Sequence, residues 1–223
     1  MEFMEVINYL ARWGHYVFGV AWIGLLYYFN FVQGGFAASA SDSTKVELFT
    51  KLVPTALWYF RWAAMLTFLT GLLLLYFVHH VGLLTSGLLI GGLMATIMFL
   101  NVWLVIWPNQ KIVIASNESV AGGGEADPGQ ADAAAKALLA SRTNTFLSLP
   151  MLFLMGSSAH GVAWMKGDAW NQPGYDFWIL LILVLLIEGN ALFGKTGPIT
   201  TVKGVIGSSV VLTIVVMAVL AWL

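Results

Sequence analysis

Long apolar runs separated by short polar stretches organise the whole chain. Six segments have the roughly 20 mostly apolar residues that a helix needs to cross the hydrocarbon core of a bilayer. They cover residues 7–31, 57–78, 83–107, 142–164, 175–193 and 202–222. Backbone polar groups in lipid must pair within their own segment, so such runs form helices. The pattern therefore predicts an all-α integral membrane protein, a single domain built as a bundle of about six transmembrane helices.

The fourth segment is the least regular, because Arg142 and Asn144 interrupt its apolar pattern. It follows the one long polar stretch, residues 108–141, which contains three consecutive glycines from Gly122 to Gly124. Clusters of glycine and small polar residues favour loops. We expect a flexible connection here, with Asp132 as the N-cap of a short helix that leads into the fourth segment.

Composition narrows the class of protein further. The chain has 223 residues, of which 59% are hydrophobic and only 9% are charged, whereas soluble domains carry about 25% charged residues. This excludes an ordinary soluble domain, a disordered chain and a nucleic-acid-binding protein. Cysteine is absent, which excludes disulfides, thiolate metal sites and covalent CxxCH haem attachment. Histidine, methionine, carboxylate or amide groups must therefore hold any cofactor.

The positions of the basic residues predict the orientation of the helices, because cytoplasmic loops are enriched in lysine and arginine. The loops after the first, third and fifth segments contain six lysines: Lys45, Lys51, Lys111, Lys136, Lys195 and Lys203. The opposite side has only Arg12 and Lys166. We therefore expect these loops in the cytoplasm and both termini outside, which is the periplasm for a bacterial inner-membrane protein.

With this orientation, all four histidines lie towards the outer side: His15, His79, His80 and His160. Histidine is the usual axial ligand of non-covalent haem, and two imidazoles from different helices can hold a haem b. His15 is the deepest, and His160 is the other candidate ligand to the haem iron. Adjacent His79 and His80 point about 100° apart on a helix, so only one of them can face the bundle. Interfacial packing is the alternative interpretation, and a copper site is a weaker one because the methionines are scattered.

A second polar group lies near the predicted cytoplasmic ends of the helices and contains Arg61, Asn101, Arg142, Asn144 and Glu188. One interpretation is structural, with an arginine paired to Glu188 and the amides joining neighbouring helices. The other is a pocket for an anionic or quinone-like ligand, because the guanidinium group suits planar oxyanions. Glu188 also has the buried position expected of a proton-handling carboxylate.

Several long blocks of the sequence resemble the membrane domain family named urate oxidase N-terminal. They are Val20-Ala21-Trp22-Ile23-Gly24-Leu25 after His15, Trp58-Tyr59-Phe60-Arg61-Trp62, Ile106-Trp107-Pro108-Asn109-Gln110 and Ser141-Arg142-Thr143-Asn144. The resemblance extends to about His160. The first block is also similar to the first helix of copper-resistance D-type membrane proteins, where a histidine near a Trp-x-Gly is linked to haem or metal.

The resemblance implies a function in electron transfer. Family members are associated with urate oxidation in which electrons pass to cytochrome c, and they often carry a C-terminal periplasmic cytochrome c domain. This sequence stops at Leu223 without a CxxCH motif. We therefore expect a haem-b redox protein, an oxidoreductase or a subunit of one, that relays electrons towards a separate periplasmic cytochrome c.

The alternative is a cofactor-free accessory subunit of a larger membrane enzyme complex. It would contact other membrane subunits and lipid through the small-residue face of Gly87 and Gly91 and through the apolar sixth segment. The small-xxx-small spacing of that face favours close packing between helices in the first place.

Overall fold

The computed structural model of the protein describes residues 3–222, and the regular structure in this range is helical apart from one isolated bridge between Thr85 and Ala169. The α-helices are α1 (Phe3–Tyr27), α2 (Gly34–Ser39), α3 (Asp42–Glu47), α4 (Val53–His80), α5 (Ser86–Leu100), α6 (Trp107–Ala121), α7 (Gln130–His160), α8 (Tyr175–Phe193) and α9 (Val202–Trp222). Short 3₁₀ turns occupy Ala163–Met165 and Gly197–Ile199.

Three π-helical segments join pairs of these helices without a break. They are Tyr28–Gln33 between α1 and α2, Leu48–Leu52 between α3 and α4, and Asn101–Ile106 between α5 and α6. Hydrogen bonds in a π turn span one residue more than in an α-helix, and such turns are frequent at functional sites. Two of the three segments contain a buried asparagine, Asn30 or Asn101.

Within residues 3–222, five helices are long and apolar enough to cross a membrane. Three of them are the continuous helices Phe3–Ser39, Asp42–His80 and Ser86–Ala121, and the others are α8 and α9. Helices of 36 to 39 residues are about 54–58 Å long at about 1.5 Å per residue, so they extend well beyond a hydrocarbon core of about 30 Å. The all-helical membrane fold is confirmed, whereas a sixth span in α7 stays a prediction.

The stretch 108–141, expected to be a flexible connection followed by a short helix from Asp132 into the fourth segment, is mostly helical in the structure, and the predicted short helix is the start of α7. α6 continues to Ala121 and α7 begins at Gln130, so only residues 122–129 lie outside the helices. The reason is packing: Ala133 and Ala137 form a buried small-residue face of α7, and α6 contacts α7.

A compact turn joins α6 and α7. Gly123 has a φ of +82°, a left-handed conformation that glycine adopts at little cost. The backbone N–H of Asp127 donates to the Ser116 hydroxyl at 2.8 Å. Gly129, rather than Asp132, occupies the N-cap position of α7, and Asp132 lies in the first turn.

α7 is the central helix of the bundle, although its sequence is the most polar of the long segments. It contacts α1, α5, α6, α8 and α9. Ser148 on α7 shares a hydrogen bond of 2.8 Å with the Tyr27 hydroxyl on α1. Ser209 on α9 donates to the Phe146 carbonyl on α7 at 2.7 Å. The polar residues of α7 therefore face protein rather than lipid, as intramembrane polar groups generally do.

The small-residue face of α5 packs inside the chain and is not open to a partner subunit. A Cβ on Gly87 would lie 2.5 Å from the Lys166 carbonyl oxygen, and a Cβ on Gly91 would lie 3.0 Å from the Leu154 Cβ. This corrects the expectation that Gly87 and Gly91 form a docking surface, because α7 and the loop after it already cover them.

Replacing Gly87 with alanine is expected to destabilise the folded protein by about 1–3 kcal/mol, the usual cost of overpacking. The new methyl group would force the backbone at Lys166 away from the start of α5. Gly92→Ala is the matched control, because the nearest atom to its Cβ is the Leu75 Cδ1 at 3.9 Å. Thermal unfolding in detergent, followed by circular dichroism, compares the two variants. Equal stability of both would contradict the close packing at Gly87.

Candidate functional site

Three of the five predicted inner polar residues form one hydrogen-bonded group. The Asn101 side-chain amide donates to the Asn144 Oδ1 at 3.1 Å and to the Glu188 Oε2 at 3.0 Å. The Asn144 amide in turn donates to the Met98 carbonyl at 2.9 Å. The group connects the π segment after α5 with α7 and α8 through hydrogen bonds of the two amides.

Arg61 on α4 is buried at 9% relative exposure and stacks on tryptophan. Its guanidinium carbon lies 3.3 Å from the centre of the Trp107 ring and 5.9 Å from that of Trp103. Guanidinium stacks well on an aromatic face, and the stack leaves the N–H edge of the group free to donate. Within residues 3–222, Nε and Nη1 of Arg61 have no hydrogen-bond partner.

Arg142 on α7 is buried to a similar degree, at 7% relative exposure. Its Nε and Nη1 also lack a hydrogen-bond partner among the described residues. Its neighbour Ser141 accepts a hydrogen bond of 2.8 Å from the Asn30 amide in the first π segment.

The two arginines lie at the same level of the bundle. Arg142 is two residues before Asn144, which bonds to Asn101, and Trp103 beside Arg61 is two residues after Asn101. The Arg61 guanidinium therefore lies near the segment Asn101–Ile106. Residues two apart on a helix point about 200° apart, so Arg142 lies at a similar level but on a different face of α7 from Asn144.

Neither arginine pairs with Glu188, so the structure contradicts the proposed ion pair. The salt bridges within residues 3–222 are Lys45–Asp42 and Lys51–Glu47, and both are on exposed helix surfaces. Glu188 accepts from the Asn101 amide instead. Burying an ionised group without a partner of opposite charge is costly. No carboxylate within residues 3–222 pairs with either guanidinium group, and Arg61 is stacked on Trp107 instead.

Other buried polar atoms around the π segments also lack partners in the described part of the chain. They are Asn30 Oδ1, Gln33 Oε1, Gln110 Oε1, Thr143 Oγ1, Trp22 Nε1 and Trp103 Nε1. Buried polar atoms are nearly always hydrogen-bonded, so each exception needs an explanation. Together with the arginines, the region therefore contains both donors and acceptors without a partner in residues 3–222.

His15 is half-buried between α1 and α4 and has a fixed orientation. Its Nδ1 lies 3.0 Å from the Thr67 carbonyl and 3.1 Å from the Thr70 hydroxyl. A Cβ on Gly71 would lie 3.1 Å from the His15 Cε1, so glycine makes room for the imidazole. When Nδ1–H donates to a carbonyl, the lone pair is on Nε2, and this is the arrangement found in metal-ligating histidines.

The other three histidines are exposed, and the pairing of His15 with His160 as haem ligands stays a prediction. The His79 ring is 5.4 Å from that of Trp170, and the His80 ring is 6.0 Å from that of Tyr76. His160 is the last residue of α7. His79 comes eight residues after Gly71 on one straight helix, or about 12 Å further along its axis. His15 and the His79–His80 pair therefore do not form the expected two-imidazole site.

A metal centre of several protein ligands is also not formed in the described range. No group of three or more histidine, cysteine, aspartate or glutamate side chains is arranged to hold a metal ion within residues 3–222. The weaker copper interpretation therefore gains no donor set here.

Two features of this region were hardly predictable from the sequence. Trp107 fits an aromatic belt by position, but the structure places it under Arg61. The π segments follow no known sequence rule, and an asparagine within each of two apolar runs was the available signal.

Comparison with known proteins gives one result. A model of the family described as urate oxidase N-terminal matches residues 85–221. The matched range contains α5 to α9 and with them Asn101, Arg142, Asn144 and Glu188, whereas His15 and Arg61 lie outside it. No curated protein and no solved structure matches the chain.

Proposed function

Because the chain belongs to the urate oxidase N-terminal family, we propose that it is a membrane redox protein that oxidises a planar anionic substrate at its inner polar layer. Electrons would then pass by way of a haem b towards a separate periplasmic cytochrome c. We further propose six spans, with α7 as the fourth, in a bacterial inner membrane. The loops rich in lysine would be cytoplasmic and both termini periplasmic.

The observation that carries this proposal is the pair of buried arginines without a carboxylate partner. An arginine binds a planar anion through two parallel N–H donors, and these charge-assisted hydrogen bonds are about twice as strong as neutral ones. The stack on Trp107 fixes the plane of the Arg61 guanidinium. Unpaired amide oxygens such as Asn30 Oδ1 could accept from N–H groups of the same ligand. Urate, which the family name suggests, is planar, anionic and carries both N–H and carbonyl groups.

Glu188 is the group suited to move a proton during such an oxidation. It is half-buried, and the Asn101 amide holds its Oε2 in place. Removing electrons from a neutral or anionic heterocycle releases protons, and a carboxylate near the bundle interior could accept one. Glu188 is therefore a candidate base rather than a partner for an arginine.

His15 fits a haem as a single protein ligand. A bound haem b would supply a one-electron carrier at this position. His15 would offer Nε2, while Thr67 and Thr70 fix the ring and Gly71 leaves space beside it. Arg61 lies six residues before Thr67 on α4, or about 9 Å along the helix axis. The substrate region and His15 are therefore close along the same helix.

The test uses the full chain, purified in detergent after expression with added haem precursor. We expect a reduced-minus-oxidised spectrum with sharp α and Soret bands and haem b that can be extracted. Anaerobic addition of urate should reduce the haem and quench tryptophan fluorescence with saturation. A flat spectrum with adequate haem supply would overturn the haem assignment and favour an accessory subunit. An unchanged fluorescence with urate and with a water-soluble quinone would overturn the substrate site.

A further inference from the structure

The loop between α7 and α8, residues 161–174, forms a cap that is held to the start of α5. The Ser86 N–H donates to the Asp168 carbonyl at 2.8 Å, and the Gly87 N–H donates to the Lys166 carbonyl at 3.0 Å. Thr85 and Ala169 add an antiparallel bridge. We call residues 161–174 the outer cap. It lies at the opposite end of the bundle from the inner polar layer and takes no part in the proposed electron transfer.

Two carboxylates converge beside this cap. Asp176, in the first turn of α8, is only 4% exposed. Its Oδ2 accepts a hydrogen bond of 3.1 Å from the Ser86 hydroxyl, and its Oδ1 is buried without a partner in the described chain. A Cβ on Gly174 would lie 2.9 Å from this Oδ1 and 2.5 Å from the Asp168 Oδ2. Oxygen atoms of both carboxylates are therefore directed at the same small region.

Neither carboxylate forms a salt bridge within residues 3–222, not even with Lys166 of the cap. The salt bridges formed by residues 3–222 lie on α3 and the π segment after it, far along the chain from the cap. The start of α8 provides partial positive charge near Asp176, but no hydrogen bond reaches its Oδ1. Two carboxylates that share a site repel each other unless a proton or a cation lies between them.

We propose that the outer cap binds a divalent cation, Ca²⁺, between Asp168 and Asp176, with the Ser86 hydroxyl as a neighbouring oxygen. Ca²⁺ accepts six to eight oxygen ligands in irregular geometry, at about 2.3–2.6 Å, and completes its shell with water. An open cavity of about 380 Å³ adjoins both carboxylates and is lined by Ala163, Trp164 and Gly167. It leaves room for the waters that two carboxylates and one hydroxyl would need.

Such an ion would fasten three elements together. Asp168 belongs to the cap, Asp176 to α8 and Ser86 to α5. Trp170 in the cap also contacts the His79 ring, so a loosened cap would expose the end of α4. The expected consequence is that Ca²⁺ stabilises this end of the protein selectively.

The experiment compares the EDTA-treated full chain with and without CaCl₂, by isothermal titration calorimetry, thermal unfolding and hydrogen exchange. Ca²⁺ should bind with saturation, raise the unfolding temperature and slow exchange within residues 161–174. Asp168→Asn is expected to weaken binding at least tenfold, and it should fold normally because Asp168 is exposed. Asp176→Asn should abolish binding. Asp132→Asn, an exposed acidic residue on α7, is the control and should keep the wild-type response.

Two outcomes would overturn the proposal: no response of the wild-type protein to CaCl₂, or equal responses of wild type and Asp168→Asn. A stability that changes with pH but not with CaCl₂, and that loses this change in Asp168→Asn, would show that a shared proton balances the charges instead. The haem spectrum should be the same in all three variants, which separates this test from that of the proposed function.

Discussion

Replacing Arg142 with leucine is expected to weaken urate binding by about 100-fold, with helical content unchanged. A hydrogen bond to a charged group contributes about 1.5–3 kcal/mol, and about 1.4 kcal/mol corresponds to a factor of ten in affinity. Loss of two such bonds therefore gives at least the stated change. Leucine fills similar space and removes an unpaired buried charge, so the unliganded fold should not weaken. Quenching of tryptophan fluorescence by urate measures the affinity.

Arg61→Lys tests the geometry of the same site separately from its charge. Lysine keeps the positive charge but has no planar fork, and it stacks less well on Trp107. We expect an affinity between those of wild type and Arg142→Leu. Arg12→Gln is the matched control, because Arg12 is an exposed arginine on α1 and its loss should leave binding unchanged. If all three variants bind urate as tightly as wild type, the buried arginines do not form the substrate site.

Replacing His15 with alanine is expected to reduce the haem-to-protein ratio at least tenfold and to remove the α band. Haem b is held without covalent bonds, so loss of an axial protein ligand removes the main directed contact to the iron. His79→Ala should retain the haem, because His79 lies about 12 Å along the α4 axis from Gly71, the residue next to the His15 ring. Haem extraction and the visible spectrum of the purified variants measure both effects.

Thr70→Val makes a milder change, at a hydrogen-bond partner of His15. It removes the hydroxyl 3.1 Å from the His15 Nδ1 and leaves the Thr67 carbonyl in place. We expect normal haem content with a shifted reduction potential, because partners of a ligating histidine tune its basicity. A His15→Ala protein with wild-type haem content would show that His15 is not a ligand. Loss of haem in His79→Ala alone would move the assignment to the outer end of α4.

The sequence predicted the helical membrane fold well because long apolar runs are a strong signal for membrane helices. Apolar runs of sufficient length specify helices almost regardless of their detailed residues. Polar residues within such runs are rare, so Asn101, Asn144 and Glu188 could be identified as a group from position alone. Their mutual hydrogen bonds then follow from the cost of leaving an amide unpaired in the membrane.

The sequence could not rank the helices by burial. The interruptions at Arg142 and Asn144 made the fourth segment appear the weakest, whereas these residues mark α7 as the central helix. Hydropathy measures the cost of facing lipid and carries no information about which helix faces protein. The same limit applies to residues 108–121, which were expected to be a loop but continue as α6 with Val113 and Ile114 buried.

The sequence also did not indicate which residues far apart in the chain meet in the fold. Asp176 and Ser86 are 90 residues apart, and nothing in either local pattern indicates that they meet. Likewise, the depth of His79 relative to His15 depends on how α1 and α4 are aligned. A shift of one or two turns along the helix axis would change which histidines meet, and the sequence does not determine that alignment.

The central position of α7 also has a consequence for how the protein is made. Insertion scales assign about 2.5–3.5 kcal/mol to an arginine at the centre of a lone span, and α7 carries Arg142 beside Asn144. Its partners on α1 and α5 precede it during synthesis, whereas Ser209 on α9 follows. As the proposed fourth span, α7 would therefore enter the bilayer against helices that have already been inserted. Its release from the translocon is then an assembly step, and a defect in α1 or α5 would appear first as a failure of biogenesis.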